Sequence, residues 1–281
     1  MMTKTKRTLG ILLVTAMAAG IFLPASAWAR KKKRKEAGPP PDLQGHVAYL
    51  AQKLYGMHLD ESGPLTGEIQ KLVLDHMQEW FAQHPPSDPP TQIPYHVDVR
   101  RELEDVFAKV QYPVYCWPKT FAVPWNNRLL IGAGFTLGWS KSERGNVVAL
   151  YERADGKTTL KGVTNFVNSV DLNYQFMPSP GGSDFRVLVY GTRLGKSHPR
   201  LSAELFSYDG NELKSLWKKE DYYDGKIDFE NDRVVISYMK EGEFVQAATY
   251  GRTPPRYEVV YQPSAQGLDV VSDHQLSAQG Q

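Results

Sequence analysis

Apolar positions along the chain recur with a helical period from residue 42 to 111 and with a strand period after it. Leu43, Val47, Leu50, Leu54 and Met57 fall at steps of four and three, and Asp42 stands where an N-cap belongs. Ile69, Leu72, Val73, Met77, Trp80 and Phe81 form a second stripe after Thr66. The run Pro85-Pro86-Ser87-Asp88-Pro89-Pro90 stops it, because proline cannot continue the hydrogen-bond ladder. A third helix is predicted after Asp98, with Val99, Leu103, Val106, Phe107 and Val110 along one side. Such stripes bury against one another or against a neighbouring sheet.

From 112 to 275 the pattern turns to short alternating runs separated by turn residues, and it repeats. Arg128-Leu129-Leu130-Ile131, Arg186-Val187-Leu188-Val189 and Arg233-Val234-Val235-Ile236 read as one strand written three times. Each is followed by a matching strand, Val148–Tyr151, Ala203–Phe206 and Glu258–Tyr261, whose last aromatics are spaced by 55 residues. Asp155-Gly156 and Asp209-Gly210 follow the first two, a pair suited to the positive φ of a type I′ turn. Returning strands at Thr159–Val163, Leu213–Trp217 and Leu268–Val271, with leading ones at Phe121–Val123, Val170–Phe176 and Lys226–Phe229, give about four strands per unit. If the units are equivalent, Leu130, Leu188 and Val235 occupy the same inward-facing position.

Four antiparallel strands recurring in this way resemble the blades of a β-propeller. The resemblance covers 113–275 and is one of architecture: the Trp-Asp dipeptide of WD40 blades and the paired glycine of kelch blades are absent. It implies blades around a central channel; a long twisted meander or a barrel-like sheet would carry the same pattern. The predicted class is therefore mainly β, with antiparallel four-stranded repeat units, propeller-like or a long meander, preceded by a small helical region.

The N-terminus changes where such a body is expected to be. Lys4, Lys6 and Arg7 precede an apolar stretch from Thr8 to Leu23, Pro24 breaks it, and small residues lead to Ala27-Trp28-Ala29. This reads as a secretory signal peptide over 1–29, cut after Ala29 or after Ala27. The alternative is a retained anchor, since Leu9 to Trp28 is just long enough to span a bilayer. A basic, Pro-rich disordered tail over 30–41 follows, then the helical region 42–111, the β-repeat domain 112–275 and a disordered tail over 276–281.

Charge divides at the same place. Residues 1–36 hold nine basic side chains and Glu36, net +8, so that the rest of the chain carries −6. A mildly acidic body argues against nucleic acid as partner. The run Arg30–Lys35 is the one segment suited to an anionic envelope or membrane surface. With 41% hydrophobic and 23% charged residues and a single cysteine, the composition excludes a disordered chain and a disulfide scaffold. Cys116, between Tyr115 and Trp117, reads as a small buried hydrophobe.

No motif specifies a reaction. Gly191-Thr192-Arg193-Leu194-Gly195-Lys196-Ser197 imitates a P-loop, but three residues separate its glycines where four are needed, and His198-Pro199 replaces the start of the phosphate-binding helix. What remains is a cluster of Arg193, Lys196, His198 and Arg200 at one loop tip, the candidate site for an anionic ligand. Glu220–Gly225 resembles a calcium loop but has Tyr222 at the third position, where an oxygen ligand is needed, and Asn231 in place of the glutamate six residues after the glycine. Histidines lack the i, i+4 spacing of a helical zinc site, and no serine elbow occurs, so neither metal nor cofactor is expected. Trp125, Phe135, Trp139, Tyr174, Tyr190, Tyr208, Trp217, Tyr222 and Tyr223 are candidates for a sugar-binding cleft or for sheet packing. The sequence thus points to an exported, periplasmic or extracellular β-repeat protein, a noncatalytic envelope-associated binding or scaffold module with an anionic envelope component or a protein as partner. The alternative is a secreted hydrolase acting on a polymer such as a glycan.

Overall fold

A computed structural model describes residues 38–58, 61–86, 93–110, 118–138, 144–166, 171–194 and 198–277, and 39–281 form one compact unit to which everything below refers. The signal peptide with Ala27 and Ala29, most of the basic tail, Cys116, Trp139 and Lys196 lie outside the described residues.

Among the described residues there are four helices and eleven strands. Helix α1 (Leu43–Tyr55) starts on Asp42, whose carboxylate accepts from the Gly45 amide at 2.8 Å. Helix α2 (Gly63–Gln83) begins one turn before Thr66, because Pro64 fits the first turn, where its missing N–H is no loss. For the same reason α3 (Ile93–Val106) opens ahead of Asp98, at Pro94. Val47, Leu50, Leu54, Ile69, Val73, Met77, Phe81, Val99 and Leu103 share one apolar cluster, which also takes in Ile131, Ala133, Phe135, Val147, Ala149 and Tyr151 from the first sheet.

That sheet has the order β1 (Lys119–Trp125), β2 (Arg128–Gly138), β3 (Arg144–Ala154), β4 (Lys157–Phe166). The second runs β5 (Asn173–Met177), β6 (Phe185–Leu194), β7 (Pro199–Tyr208), β8 (Leu213–Glu230), β9 (Arg233–Met239), β10 (Arg256–Ser264), β11 (Gly267–Gln275), each strand antiparallel to its neighbours. Two-residue turns at Asn126-Asn127, Asp155-Gly156 and Asn231-Asp232 all have positive φ, the backbone a type I′ hairpin requires. Asp209-Gly210 behaves differently from its prediction. Asp209 accepts from the amides of Asn211 (2.8 Å) and Glu212 (3.0 Å), so the loop is longer and closed by the side chain.

Both sheets are open meanders: no described strand joins β1 to β4 or β5 to β11. This corrects the propeller-like reading. Propeller blades stand around an axis, whereas here sheets meet face to face. Leu130, Val148 and Leu150 of the first sheet pack with Val187, Val189, Phe206 and Tyr208 of the second. On the opposite side of β6 and β7, Leu188, Leu201, Ala203 and Leu205 pack with Val234, Ile236, Val259 and Tyr261. The eighteen-residue β8 makes this possible. Its first half pairs with β7 and its second with β9, and bulges flank Asp224, a non-glycine residue at φ +47°.

The strands lie in three successive four-stranded meanders, the second and third sharing β8, and Val235 does not take the inward-facing position expected of it. Leu130 and Leu188 are both fully buried, but Val235 is only half-buried, while its neighbours Val234 and Ile236 are at 0% exposure. No further layer covers the third meander among the described residues, so the face that Leu130 and Leu188 bury is open at Val235.

Helix α4 (Glu241–Thr249) is absent from the alternating pattern because it buries little, Ala247 alone being buried. Its local signals are Glu241 and Glu243 in the first turn and Gly251 beyond its end. Gly251 has φ +63°, and the Arg252 amide closes on the Ala247 carbonyl at 2.8 Å in a Schellman arrangement.

Candidate binding cleft

Of the predicted basic cluster, Arg193, His198 and Arg200 come together and are engaged within the chain, and Lys196 lies outside the described residues. Arg193 ends β6 and pairs across to Arg200 at the start of β7. Arg200 donates to Glu241 of α4 at 2.7 Å and lies over the Tyr223 ring. His198 stands edge-on to Phe244 of α4, 4.5 Å between ring centres, with Nδ1 3.9 Å from Asp224. Asp224 is in turn held by Arg256 at 2.7 Å, and Arg193 also has a partner within the chain. The cluster is thus a clamp that seats α4 on the strand ends. The P-loop imitation has a similar end, because the Thr192 amide that a phosphate would need donates to Asp171 at 2.8 Å.

Two other polar constellations tie the layers together. Glu152 of β3, 6% exposed, receives Arg128 at 2.7 Å and Lys161 at 3.2 Å. The Tyr208 hydroxyl lies 2.9 Å from Glu152 and from the Gly210 carbonyl in the β7–β8 turn. Burial pushes the Glu152 carboxyl up, but the hydrogen bonds from Arg128, Tyr208 and Lys161 outweigh it and hold the group below its ordinary value. One layer on, Arg186 donates to Asp184 at 2.7 Å and to the Ser264 and Ala265 carbonyls of the β10–β11 turn at 2.5 and 3.1 Å. Burial again opposes ionisation of Asp184, and bonds from Ser179, Ser207 and Arg186 prevail, taking its pKa down to about 2. Arg128 is the first residue of β2 and Arg186 the second of β6, and each lies against a hairpin turn of the meander stacked upon its own. These groups hold structure, and the aromatics divide likewise: Phe135, Tyr208 and Tyr223 are buried, and Trp125, Trp217 and Tyr222 pack at the margins of the clusters.

The open polar site lies elsewhere, around the free edge of β1. On one side stands α3 with His96, Val99, Arg100 and Leu103; on the other stand Asn173, Tyr174 and Phe176 of β5 and Tyr190 of β6. The two adjoining hollows measure about 160 and 340 Å³ and share His96, Lys119 and Thr120. Glycines in β2 make room for its aromatic wall. A Cβ on Gly132 would stand 2.0 Å from the Phe121 ring, and one on Gly134 2.2 Å from the Tyr174 hydroxyl. Phe121 meets Tyr174 and Phe176 edge-on, at 5.0 and 5.3 Å between ring centres, and Phe176 remains 41% exposed.

The described lining is cationic, with Asp171 behind it, accepting from Asn173 at 3.0 Å. Lys119 and Arg100 are the cations of the lining, and no carboxylate occurs among its described residues. Arg100 pairs with Glu104 at 2.9 Å, whereas among the described residues Lys119 reaches only Asn173 Oδ1, at 3.5 Å. Burial pulls the His96 imidazole below its ordinary value, and its buried Nδ1 has no hydrogen-bond partner among the described residues. Burial also pushes the Tyr174 and Tyr190 hydroxyls up, so both stay protonated donors. Sequence reasoning named Tyr174 and Tyr190 but missed His96, Lys119 and Phe176, because the cation and the aromatics belong to different meanders 54 residues apart. A lysine opening a strand that contains Pro124 was the available sign of an edge.

Among the described residues, no group of three His, Cys, Asp or Glu is placed to hold a metal ion, and no helix is long and apolar enough to cross a membrane. Compared with known proteins, the chain matches no family model and no curated relative.

Proposed function

We propose that the protein is an exported, noncatalytic binding module of the cell envelope, and that its ligand is held in the cleft around the edge of β1. The observation that carries this reading is the contrast between its polar groups. The acids Glu152, Asp184 and Asp224 are already engaged by Arg128, Arg186 and Arg256 within the fold, whereas Lys119, Asn173, His96 and the exposed face of Phe176 line the open cleft. A rigid stack of sheets presenting such a cleft suits recognition, since the groups need no ordering when the ligand arrives. Export rests on the leader-like pattern of residues 1–29 and adhesion to an anionic surface on the run 30–35. The cleft lining offers no pair of acids among its described residues, so the polymer-hydrolase alternative gains nothing from it.

Cell fractionation tests the reading. The protein is expected outside the cytoplasm with its N-terminus at Arg30 or Trp28, and inert toward glycan, ester and peptide substrates. Retention of Met1 in a cytoplasmic product would remove the export half of the proposal, and turnover by the purified chain would remove the noncatalytic half.

A further inference from the structure

The larger hollow of the cleft sets one charged group beside one uncovered aromatic ring, and both are held in place from behind. Lys119 is exposed, and among the described residues it has no ion-pair partner. Its polar neighbour is Asn173, whose amide is fixed in orientation: Nδ2 donates to Asp171 at 3.0 Å, which leaves Oδ1 toward Lys119 at 3.5 Å. The other oxygen of Asp171 accepts from the Thr192 amide at 2.8 Å, so this acid positions Asn173 and is itself engaged. The ring is fixed as firmly. Phe121 and Phe185 flank Phe176 at 5.3 and 5.7 Å between centres, yet 41% of its surface stays uncovered. Tyr190 lines the same hollow, which measures about 340 Å³.

We infer that this hollow takes a sugar ring bearing a carboxylate, a uronate, with the acid at Lys119 and the apolar C–H face of the ring on Phe176; the inference rests on the cleft being the binding site. One cation without an ion-pair partner calls for one negative charge. Arg100, the other cation of the lining, is engaged by Glu104 at 2.9 Å, so a phosphate dianion or a nucleotide would find too few partners. An added peptide strand would need a free edge, and Ala122 in the middle of β1 is 1% exposed within the helix–sheet core. A flat aromatic acid would satisfy Lys119 and Phe176 but bring nothing to hydrogen-bond Asn173 and Tyr190, and polar groups that lose water without a partner weaken binding. A pyranose covers an aromatic ring with C–H bonds and carries hydroxyls round its edge that both donate and accept. The volume stands at the small end of small-molecule pockets, which suits one or two rings. A free sugar acid and a uronate within a glycan chain share this chemistry.

Galacturonate, its methyl ester, galactose, benzoate and inorganic phosphate are the probes, each titrated into the purified chain and followed through the side-chain resonances of Lys119, Asn173 and Phe176. Galacturonate is expected to saturate with all three moving, and to bind about tenfold more tightly than its ester or galactose, the charge at Lys119 making the difference. That comparison needs no variant. Lys119→Gln, an exposed change, should remove the advantage of the acid over its ester, and Phe176→Leu should weaken both by about fivefold through loss of the ring face; an unchanged amide spectrum elsewhere checks that each variant is folded. Tighter binding of a galacturonate trimer would place the uronate in a glycan chain, and equal binding would favour the free sugar acid. Benzoate, phosphate or galactose binding as tightly as galacturonate at the same resonances would overturn the sugar-acid class while leaving a ligand cleft in place. Resonances unmoved by every probe would overturn the cleft as the binding site.

Discussion

The second and third meanders are written in nearly the same letters, yet they do different work. β6 reads Arg186-Val187-Leu188-Val189 and β9 reads Arg233-Val234-Val235-Ile236. In β6 both faces are buried, Val187 and Val189 toward the first sheet and Leu188 toward the third meander. In β9 only Val234 and Ile236 are covered. The difference lies in the neighbours, not in the strand. A middle layer must be apolar on both faces, and a last layer may alternate, as Asp228 and Glu230 do on the exposed side of β8.

Removing a side chain from equivalent positions breaks the comparison most sharply. Leu188→Ala is expected to cost about 3–5 kcal/mol, because the buried leucine leaves a cavity between the second and third meanders. Val235→Ala should cost under about 1 kcal/mol, since a half-buried valine loses little contact when truncated. Urea unfolding of the two variants decides it, and equal losses would mean that the third meander is covered in solution.

This contrast also marks what could be read beforehand. The helical stripes, the arginine-led strands and the Asp155-Gly156 turn follow from local periodicity and turn chemistry, which a single sequence carries. Stacking does not, because the same alternation serves a blade, a sandwich or a layer; the covering of Leu188 is decided by residues such as Val259, some seventy positions away. Helix α4 escaped because a nine-residue helix that buries one alanine leaves almost no apolar period. The cleft escaped because Lys119 and Phe176 become neighbours only when two sheets stack.

The arginines sharpen the comparison at the next level down. Arg186 is 5% exposed, neutralises Asp184 and caps two carbonyls of the β10–β11 turn. Arg186→Ala should therefore cost about 3 kcal/mol, the scale for leaving one partner of a buried pair uncompensated. Protease sensitivity is expected to rise first at Ser264–Gln266, because the turn loses its anchor. Cleavage elsewhere with that turn protected would mean that the arginine serves Asp184 alone.

Acid probes the same junction without mutation. Asp184 ionises at about 2 in the folded chain against an ordinary 3.8. A lowered folded value means that its contribution is complete above about 3.8 and is lost as pH falls toward 2, worth roughly 1–2 kcal/mol after allowance for its partial exposure. Asp184→Asn should flatten the stability profile across pH 2–4 relative to the parent. An unchanged slope there would assign the acid sensitivity to other carboxylates, Glu152 foremost.

The smallest expected effect belongs to the third arginine. Arg128 and Arg186 each meet a hairpin turn belonging to the next meander, Gly210 near the first and Ser264 and Ala265 at the second. Arg233 begins the corresponding strand of the last meander, is exposed, and forms no ion pair among the described residues. It is the same letter in the same register with nothing to hold. Arg233→Ala should accordingly change stability by less than about 0.5 kcal/mol, the ordinary range for a surface substitution. Thermal or urea unfolding beside Arg186→Ala makes the measurement, since both variants remove the same side chain from the same strand position. A loss at Arg233 approaching that at Arg186 would show that the arginine stabilises its own strand rather than the layer above, and would dissolve the link between repeat and stacking.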